Sequence, residues 1–186
     1  MTNAPIEFPV EGLVGDSIRL RLRADSDIPA MVEACQDEAI QRYTVVPANY
    51  SEANAREFGR RSALALASGS ELSLSIADVD TDELLGTIAL RRIAPDGDRW
   101  SVGYWVAAWA RGRGVARAAV GLITAFAFDE LSAGEIELLA EPENVASRRV
   151  AEAAGFRRGE LLPDHIAIKG ASRDVFMYTL LPSGQT

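Results

Sequence analysis

Cysteine and histidine are nearly missing from this chain: Cys35 and His165 are the only ones among 186 residues. No disulfide can form within the chain, and one residue of each kind cannot build a Cys/His metal cluster, so no metal is expected. No stretch approaches the roughly 18 consecutive apolar residues of a membrane-spanning helix, and the N-terminus has no basic start followed by an apolar run. These absences predict a cytoplasmic protein in a reducing compartment with no membrane partner. Basic charge is also in deficit, with 19 Lys and Arg against 27 Asp and Glu, a formal net charge of -8. That balance disfavours work on nucleic acid, where many phosphates must be neutralised. It leaves room for a local basic patch around one anionic ligand, and it suits an amine or cationic partner.

What is present is ordinary for a folded chain: 48% hydrophobic and 25% charged residues. At about 100 to 200 residues per domain, one domain is expected. Residues 1–16 carry Pro5, Pro9, Gly12 and Gly15 with no period and read as an arm, residues 17–182 as the domain, and residues 183–186 as a tail. Ser17 to Arg23 alternates as a half-buried strand does. Asp25 or Ser26 caps a helix with Pro29 in its first turn, and Ile28, Met31, Val32 and Cys35 recur at helical spacing, which places Cys35 in an apolar stripe as a buried, inert thiol. A loop spans Tyr43 to Tyr50, and Ser51 then caps a helix running to Ala67.

Leu72 to Ile76, Leu84 to Ile93 and Trp100 to Val106 read as three antiparallel strands in series, with turns at Asp78 to Asp82 and Asp96 to Asp98. Trp100 is expected in the core. Gly114 to Phe128 is apolar almost all round and predicts a buried helix. Glu135 to Ala140 follows as a covered strand, Asn144 to Gly155 as a short helix, and Arg173 to Leu181 as a last strand.

Between Val106 and the buried helix lies Arg111-Gly112-Arg113-Gly114-Val115-Ala116. A helix entrance offers free N–H groups and the positive end of the helix dipole, and glycines let a phosphate approach the backbone closely. The segment lacks the Gly-Lys-Ser/Thr of a Walker A loop and the third glycine of a dinucleotide fingerprint. It resembles the Gln/Arg-x-x-Gly-x-Gly/Ala signature of the GNAT acyltransferases, with Arg111, Gly114 and Ala116 at the defining positions. Downstream, Asn144-x-x-Ser147 closing on Gly155-Phe156 is similar to that family's second motif. Gly103-Tyr104-Trp105-Val106 and Arg173-Asp174-Val175 leading to Tyr178 resemble the RimJ/RimL-type branch that acetylates ribosomal-protein N-termini.

The resemblance implies an α/β (α+β) fold with a mixed, mostly antiparallel sheet, a splayed parallel strand pair and flanking helices. It implies acetyl-CoA as acyl donor, with its pantetheine arm in the gap beside Trp105 and Val106. The backbone from Arg111 through Gly112, Arg113, Gly114 and Val115 to Ala116 would hold the pyrophosphate, Asn144 the arm's amide, and Ser147 would lie near the sulfur. The implied activity is direct transfer to a primary amine, either a protein N-terminus or a small molecule, in a ternary complex. A homodimer is compatible with this branch.

Many family members protonate the leaving thiolate with a tyrosine whose position here is Ala151, so Ser147 takes that role by resemblance. Glu160 and Glu141 are the candidate bases, Glu160 the preferred one, while His165 reads as structural. Tyr43 and Tyr50 belong to the loop that would line the acceptor side. Two other readings share these motifs: a GNAT module that senses or stores acyl-CoA without turnover, and an enzyme using succinyl-CoA or another donor.

Overall fold

The computed structural model describes residues 4–93 and 98–183, which leaves most of the Asp96 to Asp98 turn outside the described residues. Eight strands form one sheet: β1 (Leu13–Val14), β2 (Ile18–Arg21), β3 (Glu71–Asp78), β4 (Leu84–Arg92), β5 (Arg99–Val106), β6 (Glu135–Ala140), β7 (Arg157–Ile168) and β8 (Ala171–Leu180). Their spatial order is β1-β2-β3-β4-β5-β6-β8-β7, and every neighbouring pair is antiparallel except β5 with β6. The helices are α1 (Ile28–Ala34), α2 (Glu38–Tyr43), α3 (Glu52–Ala67), α4 (Val115–Asp129) and α5 (Val145–Ala153).

Period-two alternation sorts the strand residues onto two faces. Leu72, Leu74, Ile88, Leu90, Trp100 and Val102 share one face and are buried against α4, whose Val120 and Ile123 are fully covered. Each such aliphatic side chain contributes about 1.5–3 kcal/mol when fully buried. The arm joins this core: Ile6 is buried, its N–H bonding the Leu66 carbonyl at 3.2 Å, and Phe8 meets Phe126 edge-on at 5.7 Å. Trp100 is fully buried in the same core, as expected. The opposite sheet face is more polar, and α1 and α3 cover part of it through Ile28, Met31, Cys35 and Ala55.

Several local expectations match the elements formed. Pro29 lies in the first turn of α1, preceded by a short 3-10 turn at Asp25–Asp27. Ser51 caps α3, its Oγ accepting from the Asn54 N–H. Three elements had no expectation: β1, α2 and β7. The last two carry walls of the functional cleft. No helix among the described residues is long and apolar enough to cross a membrane.

Candidate functional site

The parallel pair β5/β6 is joined only from Arg99↔Glu135 to Ser101↔Glu137. Beyond Ser101 the strands part, and the edge of β5 from Val102 to Val106 no longer pairs with β6. Backbone groups along this gap can accept an extended ligand in place of a strand. The gap opens into a cleft of about 950 Å³, lined along its length by Tyr104, Trp105, Val106, Leu138, Asn144 and Ser147. That volume suits a sizeable ligand.

At the C-terminal end of β5 the cleft meets the start of α4. Gly112 and Gly114 both adopt left-handed backbone, with φ of 75° and 76°, and an added Cβ at either would meet nothing within 4 Å. Gly114 is the N-cap of α4 and supplies no side-chain cap, so the N–H groups of the first turn have no intrahelical partner. With the helix dipole behind them they form an anion seat. Val115 is buried beneath the seat, while Ala116 and Arg117 line it.

The two arginines of the loop are already engaged. Arg111 donates from Nη1 and Nη2 to the Asp37 carboxylate at 3.1 and 2.7 Å, and from Nε to the Val106 carbonyl at 3.2 Å. Arg113 reaches Asp78 at 3.4 Å. The Arg111 guanidinium holds the Asp37 carboxyl below its usual range, helped by N–H groups at the start of α2. Arg117 lines the same end of the cleft and forms no ion pair among the described residues. Sequence reasoning missed it because it lies one helical turn beyond Arg113, inside the apolar helix; its spacing along α4 was the available signal.

Asn144 caps α5, its Oδ1 accepting from the Ser147 N–H at 3.1 Å, and the residue lines the cleft. Ser147 Oγ is 3.1 Å from the Tyr104 hydroxyl, and both residues line the cleft. Burial pushes the Tyr104 phenol above its ordinary value, against a smaller opposing effect of the Ser147 hydrogen bond. The phenol is therefore neutral at pH 7 and keeps its proton. Tyr104 was also overlooked as a site residue: it alternates with Trp100 and Val102 as a core position, and only its hydroxyl, which needs a partner once covered, hinted at more. Ala151, by contrast, is fully buried.

The far wall comes from the loop after α2 and from the β7–β8 hairpin. Tyr43 and Tyr50 both line the cleft, Tyr43 half-buried and Tyr50 buried, with burial and then Cys35 pushing the Tyr50 phenol up to about 12. Ile168 of β7 lines it too. Cys35 is 1% exposed, and burial pushes its thiol up to about 12.

The carboxylates singled out as bases do not converge on this cleft. Glu160 is exposed on β7, the edge strand of the sheet, at a register shift between Arg158 and Leu161, and is not among the lining residues. Glu141 is 6% exposed at the end of β6, with Oε1 unpartnered among the described residues, and it too stays outside the lining. His165 is exposed on β7 and is not among the lining residues.

A parted parallel strand pair leading to an uncapped, glycine-bearing helix start, with a hydroxyl pair lining the same cleft, is an arrangement suited to a long ligand ending in phosphate. The sequence profile of the GNAT acetyltransferase domain matches residues 17–157, and the chain belongs to that family. It is 27% identical over 172 residues to the uncharacterized N-acetyltransferase p20 of Bacillus licheniformis, covering 92% of this chain and 97% of that one. Among solved structures, the microcin C7 self-immunity acetyltransferase MccE, held with acetyl-CoA and AMP, superposes with a TM-score of 0.83 at 18% identity, over 94% of this chain and 98% of that one. The Salmonella typhimurium enzyme that modifies the N-terminal serine of ribosomal protein L7/L12 superposes with a TM-score of 0.77 at 20% identity, over 94% and 98%.

Proposed function

We propose that this protein transfers an acetyl group from acetyl-CoA to a primary amine, on a protein N-terminus or a small molecule, by direct attack within a ternary complex. The observation that carries the reading is the Tyr104–Ser147 hydroxyl pair at 3.1 Å, lining the same cleft that ends at the α4 anion seat. The pyrophosphate would sit on the first-turn N–H groups of α4 beside Arg117, the pantetheine arm along the free edge of β5, and the arm's amide against the Asn144 NH2 group. That places the thioester towards Ser147.

The neutral amine attacks the thioester carbonyl carbon, and the tetrahedral adduct collapses by breaking the C–S bond. Tyr104, protonated and donating to Ser147 Oγ, directs the serine hydroxyl proton at the leaving sulfur. Ser147 stabilises the thiolate as it departs. The amine's own proton leaves through water, since neither Glu160 nor Glu141 lines the cleft. Rate should then rise with pH as the acceptor amine deprotonates, without an enzyme carboxylate setting the lower limb.

Support comes from the family match and from structural relatives whose ligands include acetyl-CoA. The test is thiol release from acetyl-CoA across a panel of primary amines, with Ser147→Ala beside the parent. Transfer is expected with at least one amine and is slowed by Ser147→Ala. Tight donor binding with no thiol release from any amine would favour an acyl-CoA sensor, and preference for succinyl-CoA would change the donor.

A further inference from the structure

The acceptor half of the cleft has a charge pattern that donor binding does not require. Among the described residues, the carboxylates lining the cleft are Glu57 and Glu71. Glu57 accepts from Arg60 at 2.7 and 2.9 Å and has Arg61 at 3.8 Å. Glu71 accepts from Arg91 at 2.8 Å and from the Ser73 hydroxyl at 2.6 Å. Each carboxylate is thus neutralised by the protein itself, and two of those cations, Arg61 and Arg91, line the cleft as well. A second ammonium on the acceptor would face guanidinium groups with no free carboxylate to receive it, and like charges brought together in a partly desolvated cleft repel.

The walls around this half are apolar, formed by Ile40, Tyr43, Val46, Tyr50 and Phe58. Its floor has a hollow. Gly103 lies in the middle of β5 on the face it shares with Ser101 and Trp105, pairs with Ala89 of β4, and remains exposed. A Cβ built on Gly103 would meet nothing within 4 Å, and its φ is not in the left-handed region. Neither packing nor backbone conformation therefore demands glycine at this position. What its small size provides is space beside Trp105 at the mouth of the strand gap.

We propose that the acceptor is a monoamine whose group next to the nitrogen is apolar or aromatic, seated over Gly103 and Ala89, with a neutral or anionic remainder. A polyamine does not fit. This inference rests on the acetyl-transfer reading and names the substrate class for it. The geometry makes Gly103 a specificity-determining position.

The test compares kcat/KM for phenylalanine amide, phenethylamine and spermidine in the parent and in Gly103→Val, with donor affinity measured by calorimetry for both. A β-branched residue suits the middle of a strand, so the variant is expected to fold. The expected result is at least a tenfold preference of the parent for the aromatic amines over spermidine, and a loss on those amines in Gly103→Val at least tenfold greater than any change in donor Kd. If spermidine matches or exceeds the aromatic amines, the monoamine class is wrong while transfer itself stands. If Gly103→Val keeps the parent's kcat/KM, the hollow is not the seat. The parent's panel decides the class independently of how the variant folds. Absence of thiol release with every amine would sink the transfer reading and this one together.

Discussion

Single side chains decide whether the cleft can do chemistry, and their partners matter as much as their identities. Arg111 and Arg113 are the charged members of the glycine loop, yet both spend their guanidinium groups on carboxylates. Among the described residues that line the cleft, Arg117 is the cation without an ion pair. Arg117→Ala is expected to raise the donor Kd about fivefold at low salt, and the difference should shrink at high ionic strength because the group is exposed; calorimetry at two salt concentrations checks this. Under the proposed role of its hydroxyl at the departing thiolate, Ser147→Ala should lower kcat about 10- to 100-fold with donor Kd nearly unchanged. Tyr104→Phe should lower kcat by about fivefold, the worth of roughly one hydrogen bond, and should add little on top of Ser147→Ala because the two act as a pair. Steady-state thiol release on the three variants tests that coupling. Cys35, with its thiol pushed up to about 12 by burial, should resist iodoacetamide at pH 8 in the folded protein and react once it is unfolded. Mass spectrometry reads the adduct.

At the scale of elements, the six-residue helix α2 links the two halves of the cleft. Asp37 caps it by accepting from the Ile40 N–H at 3.0 Å while binding Arg111 of the anion seat. Its last turn is held from the other side by the β7–β8 hairpin, where Lys169 Nζ donates to the Gln41 carbonyl at 2.5 Å. A helix this short is not stable on its own local interactions, so these contacts set its position. Asp37→Ala is therefore expected to raise the acceptor KM and the donor Kd together by a few fold, which separate titrations would reveal. A change in donor Kd alone would mean that α2 does not depend on this ion pair. The edge strand β7 guards the other wall. Pro163, an exposed run of residues and two register shifts blunt its outer edge against pairing with another chain.

Across the whole molecule, one buried carboxylate joins the sheet to the first helical layer. Asp27 is 3% exposed and receives Arg21 of β2 at 2.8 and 2.9 Å, Ser75 of β3 at 2.8 Å, and the Ala24 N–H at 2.9 Å. Burial alone would raise its proton affinity, but the Arg21, Ala24 and Ser75 hydrogen bonds together outweigh that and hold the carboxyl below its usual range. A carboxyl lowered by folding stabilises the native state above its unfolded value near 4, and that stabilisation is lost as pH falls through the lower folded value. Melting temperature is thus expected to be flat from pH 7 to 5 and to fall below about pH 4. Asp27→Ala should cost about 3–5 kcal/mol by leaving Arg21 partly buried with one partner fewer. At about 2–4 °C per kcal/mol for a chain of this size, that is a drop of roughly 10 °C, readable by calorimetry.

The division between sequence and tertiary structure follows from the range of the interactions involved. The boundaries of α3 and α4, the three-strand run, the two glycines at the helix entrance and the Asn144 cap are local matters of period, capping and backbone freedom, and so they were legible in the chain itself. The anion seat was legible for the same reason: it is a strand end, two glycines and a helix start in unbroken sequence. Pairings between residues far apart were not. No periodicity marks that Asp37 and Asp78 take up Arg111 and Arg113, that Tyr104 on β5 meets Ser147 on α5, or that Glu160 lies on an edge strand, outside the cleft lining. The helix α2 and the strand β7 also went unread, the one too short and the other too exposed to show a period. The sequence by itself determined the strand end, the two glycines and the helix start from Arg111 to Ala116. Only the folded chain decided which carboxylates engage the loop arginines, which hydroxyls pair in the cleft, and how much room the cleft leaves, because those contacts join residues far apart in sequence.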